Sequence, residues 1–263
     1  MEITTLGPNG TYASQVAKKI FPKNSINFEP TILDVLESDG IKVVPLENSI
    51  EGTVRISWDS ILEKKLWLCG ICKLEIDHVL ASRAGSLKSI KTVFSHQQAL
   101  AQCRKFVRKF LKKAKVIHVS STAEAAMIAL SDPAAAAIVS PHACEIYGLE
   151  ILKKDIEDEK DNVTIFGVVA DKDIFLKLKK DEMHIVVTPK KNMPGLLFNI
   201  LKPFHDYKVD LTRLESRPTR KKIGEYRFLL SFKIDNGECK KVLKILKNRY
   251  KVDILGESVS LKI

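Results

Sequence analysis

Over roughly its first 170 residues the chain alternates short apolar runs with amphipathic stretches, and this alternation limits the possible folds more than any other feature. Strand candidates lie at 41–44, 92–94, 116–119, 136–139 and 164–169. Helix candidates lie between and before them at 13–20, 31–36, 97–111 and 122–130. Strand and helix in repeated succession argue for an α/β architecture with largely parallel sheets.

Near residue 171 the pattern changes. Residues 171–181 are rich in Lys and Asp and read as a linker. Beyond it comes a strand at 183–188, then a helix opened by Pro194 with Leu196, Leu197, Ile200, Leu201 and Phe204 on one face. A strand is expected at 209–214. Tyr226, Phe228, Leu230, Phe232 and Ile234 alternate strictly, as in a strand with one buried face. Cys239, Val242, Leu243 and Leu246 mark a second helix, and 252–263 a last strand. The order β-α-β-β-α-β is that of a ferredoxin-like unit.

The chain has 263 residues and carries 43 Lys and Arg against 32 Asp and Glu, a net charge of +11. A basic balance alone admits nucleic acid, an anionic membrane or a small anionic ligand. The lysines are scattered, and the densest basic stretch, 104–115, keeps its apolar residues at helical spacing, so it reads as a solvated helix face. Neither a nucleic-acid nor a membrane partner is expected. The N-terminus has no basic-then-apolar leader pattern and no apolar run reaches membrane-spanning length, so a cytoplasmic protein is expected. The odd count of five cysteines suits a reducing compartment. Cys69 and Cys72 form a lone C-x-x-C inside an apolar run, more in keeping with a buried strand than with a redox or zinc site.

Small polar clusters sit where a strand or loop meets a helix: Gly7 to Thr11, Glu47 to Gly52, Ser95-His96 and Ser120 to Thr122. Each can cap a helix. Gathered at the carboxyl ends of strands, several such N-termini make an anion site without Lys or Arg. No Gly-rich nucleotide loop, nucleophile elbow or metal-ligand spacing occurs.

The wording of these clusters is similar to that of the prephenate dehydratases. LGPNGTYAS (6–14), VPLENSIEGTV (44–54), FSHQQALAQC (94–103), SSTAEAA (120–126), YGLEIL (147–152) and DNVTIF (161–166) resemble that family's blocks in order. PGLLF (194–198) and LESRP (214–218) resemble the phenylalanine-binding motifs of its ACT domain. The resemblance implies an α/β catalytic domain at 1–175 with the two-subdomain, periplasmic-binding-protein-like plan, one subdomain at about 1–76 with 163–175 and the other at 77–162. A ferredoxin-like (βαββαβ) ACT domain would follow at 182–263. It implies a lyase that converts prephenate to phenylpyruvate in phenylalanine biosynthesis without cofactor or metal, under feedback by L-phenylalanine, as a homodimer or homotetramer joined through ACT domains. Thr164 would be catalytic. Thr11, Asn48, Ser49, His96, Ser121, Thr122 and Phe166 would bind substrate. Gly195, Leu196, Leu197, Asp210, Glu215, Ser216, Arg217 and Pro218 would hold the effector.

Three positions depart from the family's pattern. Ile165 stands where an Arg is usual, removing a bidentate carboxylate donor for which Arg55 or Arg83 are candidate replacements. Gln97 replaces a Pro, and Asp210 an Asn. The Ile165 departure raises the alternative of a relative that senses amino acid without turnover, and an arogenate dehydratase, differing only in substrate, is a further alternative.

Overall fold

The structure, a computed structural model, describes residues 2–219, 224–234 and 237–263. The chain forms two compact units. The first comprises Met1–Ser57 and Cys72–Phe166 with the terminal Ile263, the second Trp58–Ile71 and Gly167–Lys262.

The chain opens with β1 (Ile3–Leu6), α1 (Tyr12–Ile20), β2 (Ile26–Glu29), α2 (Ile32–Glu37) and β3 (Ile41–Asn48). β1 lies between β2 and β3, parallel to both. Thr11 and Thr31 begin the two helices, their hydroxyls accepting from Ser14 N–H and Asp34 N–H. β3 turns back through the short β4 (Gly52–Thr53) into α3 (Arg55–Glu63), and β5 (Trp67–Glu75) follows. The unit boundary falls within both α3 and β5.

A second sheet of the first unit is built from β6 (Val79–Ser82), β7 (Thr92–His96), β8 (Lys115–Val119), β9 (Ala135–Val139) and β10 (Glu150–Lys153), in the order β10-β6-β9-β7-β8. β7 is parallel to β8 and β9, whereas β6 runs antiparallel to β9 and β10. This sheet is therefore mixed rather than largely parallel. Its helices are α4 (Gln97–Gln102), α5 (Arg104–Phe110), α6 (Thr122–Ser131) and α7 (Pro141–Tyr147). β9 shows why both faces must be covered: Ala135, Ala137 and Val139 pack into one cluster with α6 and α7, while Ala136 and Ile138 pack into another with Leu100, Cys103 and Phe106. The single helix expected over 97–111 is broken at Cys103, and of the basic stretch only 104–110 is helical, in α5, while 111–115 runs through a turn into β8. Its apolar face turns inward at Phe106, although Phe110 is exposed. The chain leaves this sheet through β11 (Val163–Ala170).

In the second unit β12 (Glu182–Thr188), α8 (Leu196–Asp206), β13 (Leu211–Pro218), β14 (Tyr226–Lys233), α9 (Cys239–Arg249) and β15 (Lys251–Leu261) follow in the β-α-β-β-α-β order, with strands arranged β13-β14-β12-β15. Ile185, Val187, Ile200, Phe204, Leu230, Phe232, Val242 and Leu246 form its core. Gly195 precedes α8 with a φ of 75°, a left-handed conformation open to glycine at little cost. β13 begins at Leu211 and runs through Pro218, so the LESRP segment lies within the strand rather than after it. No helix among the described residues is long and apolar enough to cross a membrane. Cys69 and Cys72 are buried in β5, and burial pushes their thiols up to about 11 and about 12, far from the thiolate character that redox or metal chemistry needs.

Candidate active site

A cavity of about 860 Å³ opens within the first unit. One wall comes from the β1-α1 turn, the β2-α2 turn and the end of β3; the other comes from α4 and the start of α6. Thr164 and Phe166 reach it from β11 and His78 from just before β6. Thr11, Asn48, His96, Ser121 and Thr122 also line it. Ser49 does not. It is exposed, and its Oγ accepts from Val163 N–H at 2.9 Å, so it pins β11 to the turn after β3. Ser49, expected from the sequence to bind substrate, is thus brought beside the strand of Thr164 and not into the cavity lining.

Helices α1 and α6 both present their N-termini here, capped by Thr11 and Ser121. His96 caps α4, its Nδ1 facing Gln98 N–H at 3.3 Å. The unpaired N–H groups and dipoles at such ends favour negative charge. None of the described residues lining the cavity is Lys or Arg, while two carboxylate residues, Glu29 and Glu51, are among them. Neither candidate for the missing cation is in the wall: Arg55 does not line it, and Arg83 Nη1 donates instead to Leu130 O at 3.1 Å. Ile165 is absent from the wall because strand alternation turns 164 and 166 inward and 165 to the opposite face of β11.

At Thr164 the geometry is specific. Asn48 Nδ2 donates to Thr164 Oγ1 at 2.9 Å and to Asn162 Oδ1 at 2.6 Å. With one lone pair of Oγ1 occupied, the threonine O–H remains to donate into the cavity. Asn162 Nδ2 donates to Gln102 Oε1 at 3.2 Å, and His78 Nε2 lies 2.9 Å from the same oxygen. Gln102 lines the cavity, and its Nε2, buried within the wall, has no hydrogen-bond partner, so it is an unused donor at this wall. Tyr12 donates to Asp77 O at 2.5 Å and touches His78 Nδ1 at 3.3 Å. Burial raises the Tyr12 phenol well above its ordinary value and lowers the His78 imidazole, so both are neutral near pH 7.

Sequence reading missed Gln102, His78 and Tyr12. Gln98 and Gln102 stand four apart on α4, away from the charged face of the following helix, and this spacing is the one local signal that could have found Gln102. His78 and Tyr12 have no such signal.

The effector set falls in the second unit. Leu196 is buried in its core and Leu197 is partly exposed on α8. Asp210 lines an open depression of about 850 Å³ with Phe204, Lys208 and Leu211, without Glu215 or Arg217. Those two pair with each other, Arg217 Nη1 lying 3.4 Å from Glu215 Oε1. Arg217 Nη2 also reaches Asp59 Oδ2 at 2.5 Å, and Arg227 Nη2 reaches Asp59 Oδ1 at 3.2 Å. These side chains are 12–20% exposed, so they form a largely buried ion cluster rather than a surface pair.

Residues 3–174 match the family described as PDT, prephenate dehydratase. The prephenate dehydratase of Methanocaldococcus jannaschii is 35% identical over 260 residues, covering 95% of this chain and 95% of that protein. The bifunctional chorismate mutase/prephenate dehydratase of Aquifex aeolicus is 36% identical over 95% of this chain and 70% of its own length. Among solved structures, prephenate dehydratase from Arthrobacter aurescens in complex with L-Phe superposes with a TM-score of 0.87 at 31% identity, covering 98% of this chain and 90% of that one. With the family matched over most of the chain and relatives matched nearly end to end, the chain belongs to the prephenate dehydratase family.

Proposed function

We propose that this protein is a prephenate dehydratase serving phenylalanine biosynthesis, with Thr164 as its catalytic residue. The observation that carries the reading is the Thr164 hydroxyl, oriented by Asn48 at 2.9 Å inside a cavity with neutral donors and helix N-termini. Prephenate brings two carboxylates and a ring hydroxyl. The reaction breaks the C–O bond to that hydroxyl and the C–C bond to one carboxylate, releases CO2 and water, takes up one proton, and leaves an aromatic ring. Gain of aromaticity drives it, so the protein must chiefly hold the dianion and ease hydroxide departure. Thr164 donates a hydrogen bond to the departing oxygen. Gln102 Nε2 and the N-termini of α1 and α6, together with Thr11, His96, Ser121 and Thr122, supply fixed dipoles for the carboxylates. Phe166 packs against the ring. None of these steps calls on a cofactor. The test is phenylpyruvate formation from prephenate by the purified protein; a folded protein without turnover overturns the reading.

A second substrate has its own support. Glu29 and Glu51 suit an ammonium group better than a keto acid, which favours arogenate. Competition between the two substrates decides: kcat/KM higher for arogenate would reassign the enzyme.

The proposed domains are 1–175, catalytic, and 182–263, a ferredoxin-like ACT domain that binds L-phenylalanine as feedback effector and joins protomers into a homodimer or homotetramer. The β-α-β-β-α-β order supports this, as does Glu215, whose buried Oε2 has no hydrogen-bond partner and meets only the loose ion pair with Arg213 Nη1 at 3.9 Å. Asp210, Gly195, Leu196, Leu197, Ser216, Arg217 and Pro218 complete the proposed effector set. Glu215→Ala should weaken phenylalanine binding measured by calorimetry; undiminished binding refutes the assignment. The five free, buried cysteines suit a cytoplasmic location.

A further inference from the structure

The polar wall of the cavity has a direction that can be derived from its backbone. Ile50 N–H and Glu51 N–H both donate to Asn48 Oδ1, at 3.0 and 3.1 Å. Two backbone donors settle which end of that amide is oxygen. Asn48 Nδ2 must then donate, to Thr164 Oγ1 and Asn162 Oδ1. With its oxygen engaged, Asn162 turns its Nδ2 to Gln102 Oε1. That oxygen is consequently an acceptor, and the His78 Nε2 lying 2.9 Å from it must carry a hydrogen. In a neutral ring Nδ1 is then bare, with the Tyr12 oxygen 3.3 Å away and its hydrogen directed to Asp77 O.

We propose that His78 is a positioning residue: as the Nε2–H tautomer it fills the second lone pair of Gln102 Oε1 and so holds Gln102 Nε2 toward the substrate. Without His78, Oε1 keeps only the Asn162 donor, and the glutamine is free to rotate its amide away from the cavity. The inference deepens the prephenate reading and rests on it, because it assumes that the Gln102 donor meets a substrate oxygen. His78 is 3% exposed and its Nε2 is engaged within the protein, which fits a supporting role better than proton transfer. Burial keeps the ring neutral against the opposing effects of its Gln102 hydrogen bond and of the Glu157 and Asp77 carboxylates.

Two measurements test this. In 15N NMR of histidine-labelled protein at neutral pH, His78 should appear with Nε2 protonated and Nδ1 bare; the opposite tautomer overturns the proposal, and this reading needs no substrate and no variant. In kinetics with prephenate, His78→Phe should lower kcat/KM at least ~10-fold, and the loss should vanish when His78→Phe is combined with Gln102→Ala, because both changes remove the same donor. His78→Gln, whose amide reaches about as far as Nε2, should recover most of the activity. An equal loss in the Gln102→Ala background overturns the proposal, and should His78→Phe not fold, His78→Gln and the tautomer decide. Failure of the prephenate reading looks different: no variant and no wild type turns over, whatever the tautomer.

Discussion

In the first unit the buried polar chain from Asn48 through Asn162 and Gln102 to His78 contains no formal charge, whereas in the second unit Asp59, Glu215, Arg213, Arg217 and Arg227 bring charged groups together with little solvent. Amides and hydroxyls bond along fixed lone-pair directions, so a chain of them specifies which atom points where. Ion clusters are held by a less directional force and can exchange partners when another charge arrives. The first arrangement suits a site that must hold one geometry. The second suits a site that must answer to a charged ligand. In the first each amide oxygen has a donor, and in the second each of these ionised side chains has an opposite charge near it; Gln102 Nε2 and Glu215 Oε2 are their buried atoms left without a hydrogen bond.

Substitutions can break this contrast at either end. The largest effect is expected from Asp59→Ala, which leaves Arg217 and Arg227 without their shared carboxylate at 13% and 17% exposure and should cost about 3 kcal/mol in urea unfolding. A loss below 1 kcal/mol would mean that the cluster re-pairs freely and is held less tightly than its geometry implies. Next, Thr164→Ala should lower kcat at least ~100-fold with the melting temperature little changed. Unchanged kcat would remove the threonine from the chemistry and leave the amide chain a purely structural device. A smaller effect tests a neutral buried group of the second unit. His184 sits between Ser231 Oγ and Ser258 Oγ, each at 2.8 Å, and burial, with a further push from Lys233, lowers its imidazole to about 3. The unfolded chain takes up a proton near pH 6.5 and the folded one does not, so this contribution is full above that pH and is lost as pH falls toward 3. Between pH 7 and 5 the loss should be about 2 kcal/mol in unfolding free energy, and His184→Gln should flatten that slope. The smallest change is Ser49→Ala, expected to cost about 1 kcal/mol of stability through the lost bond to Val163 N–H while kcat stays within about twofold. A large kcat loss would return Ser49 to the site.

How far the sequence reaches depends on the range of the interaction. Caps are local: Thr11, His96 and Ser121 each bond to a backbone N–H two or three residues on, and all three were legible as helix starts that line the cavity. Thr164 and Phe166 were legible through the resemblance and fit strand alternation. His78 and Gln102 were not, because their bond spans 24 residues and the Gln102–Asn162 bond spans 60, distances over which no periodicity carries information. Ser49 follows the last residue of β3 and is exposed beside the buried Asn48, a one-residue difference that the sequence pattern does not resolve. The break at Cys103 escaped the helical pattern because buried Leu100, Cys103 and Phe106 keep the spacing of one helix across two.

The cavity wall without lysine or arginine also bears on what happens after the bond breaks. Loss of CO2 turns a doubly charged substrate into a singly charged product, and no Lys or Arg among the described residues of the wall retains the remaining carboxylate. Affinity should fall together with charge, so phenylpyruvate is expected to leave readily and to inhibit weakly. Such a site would empty itself as a direct consequence of the reaction it performs.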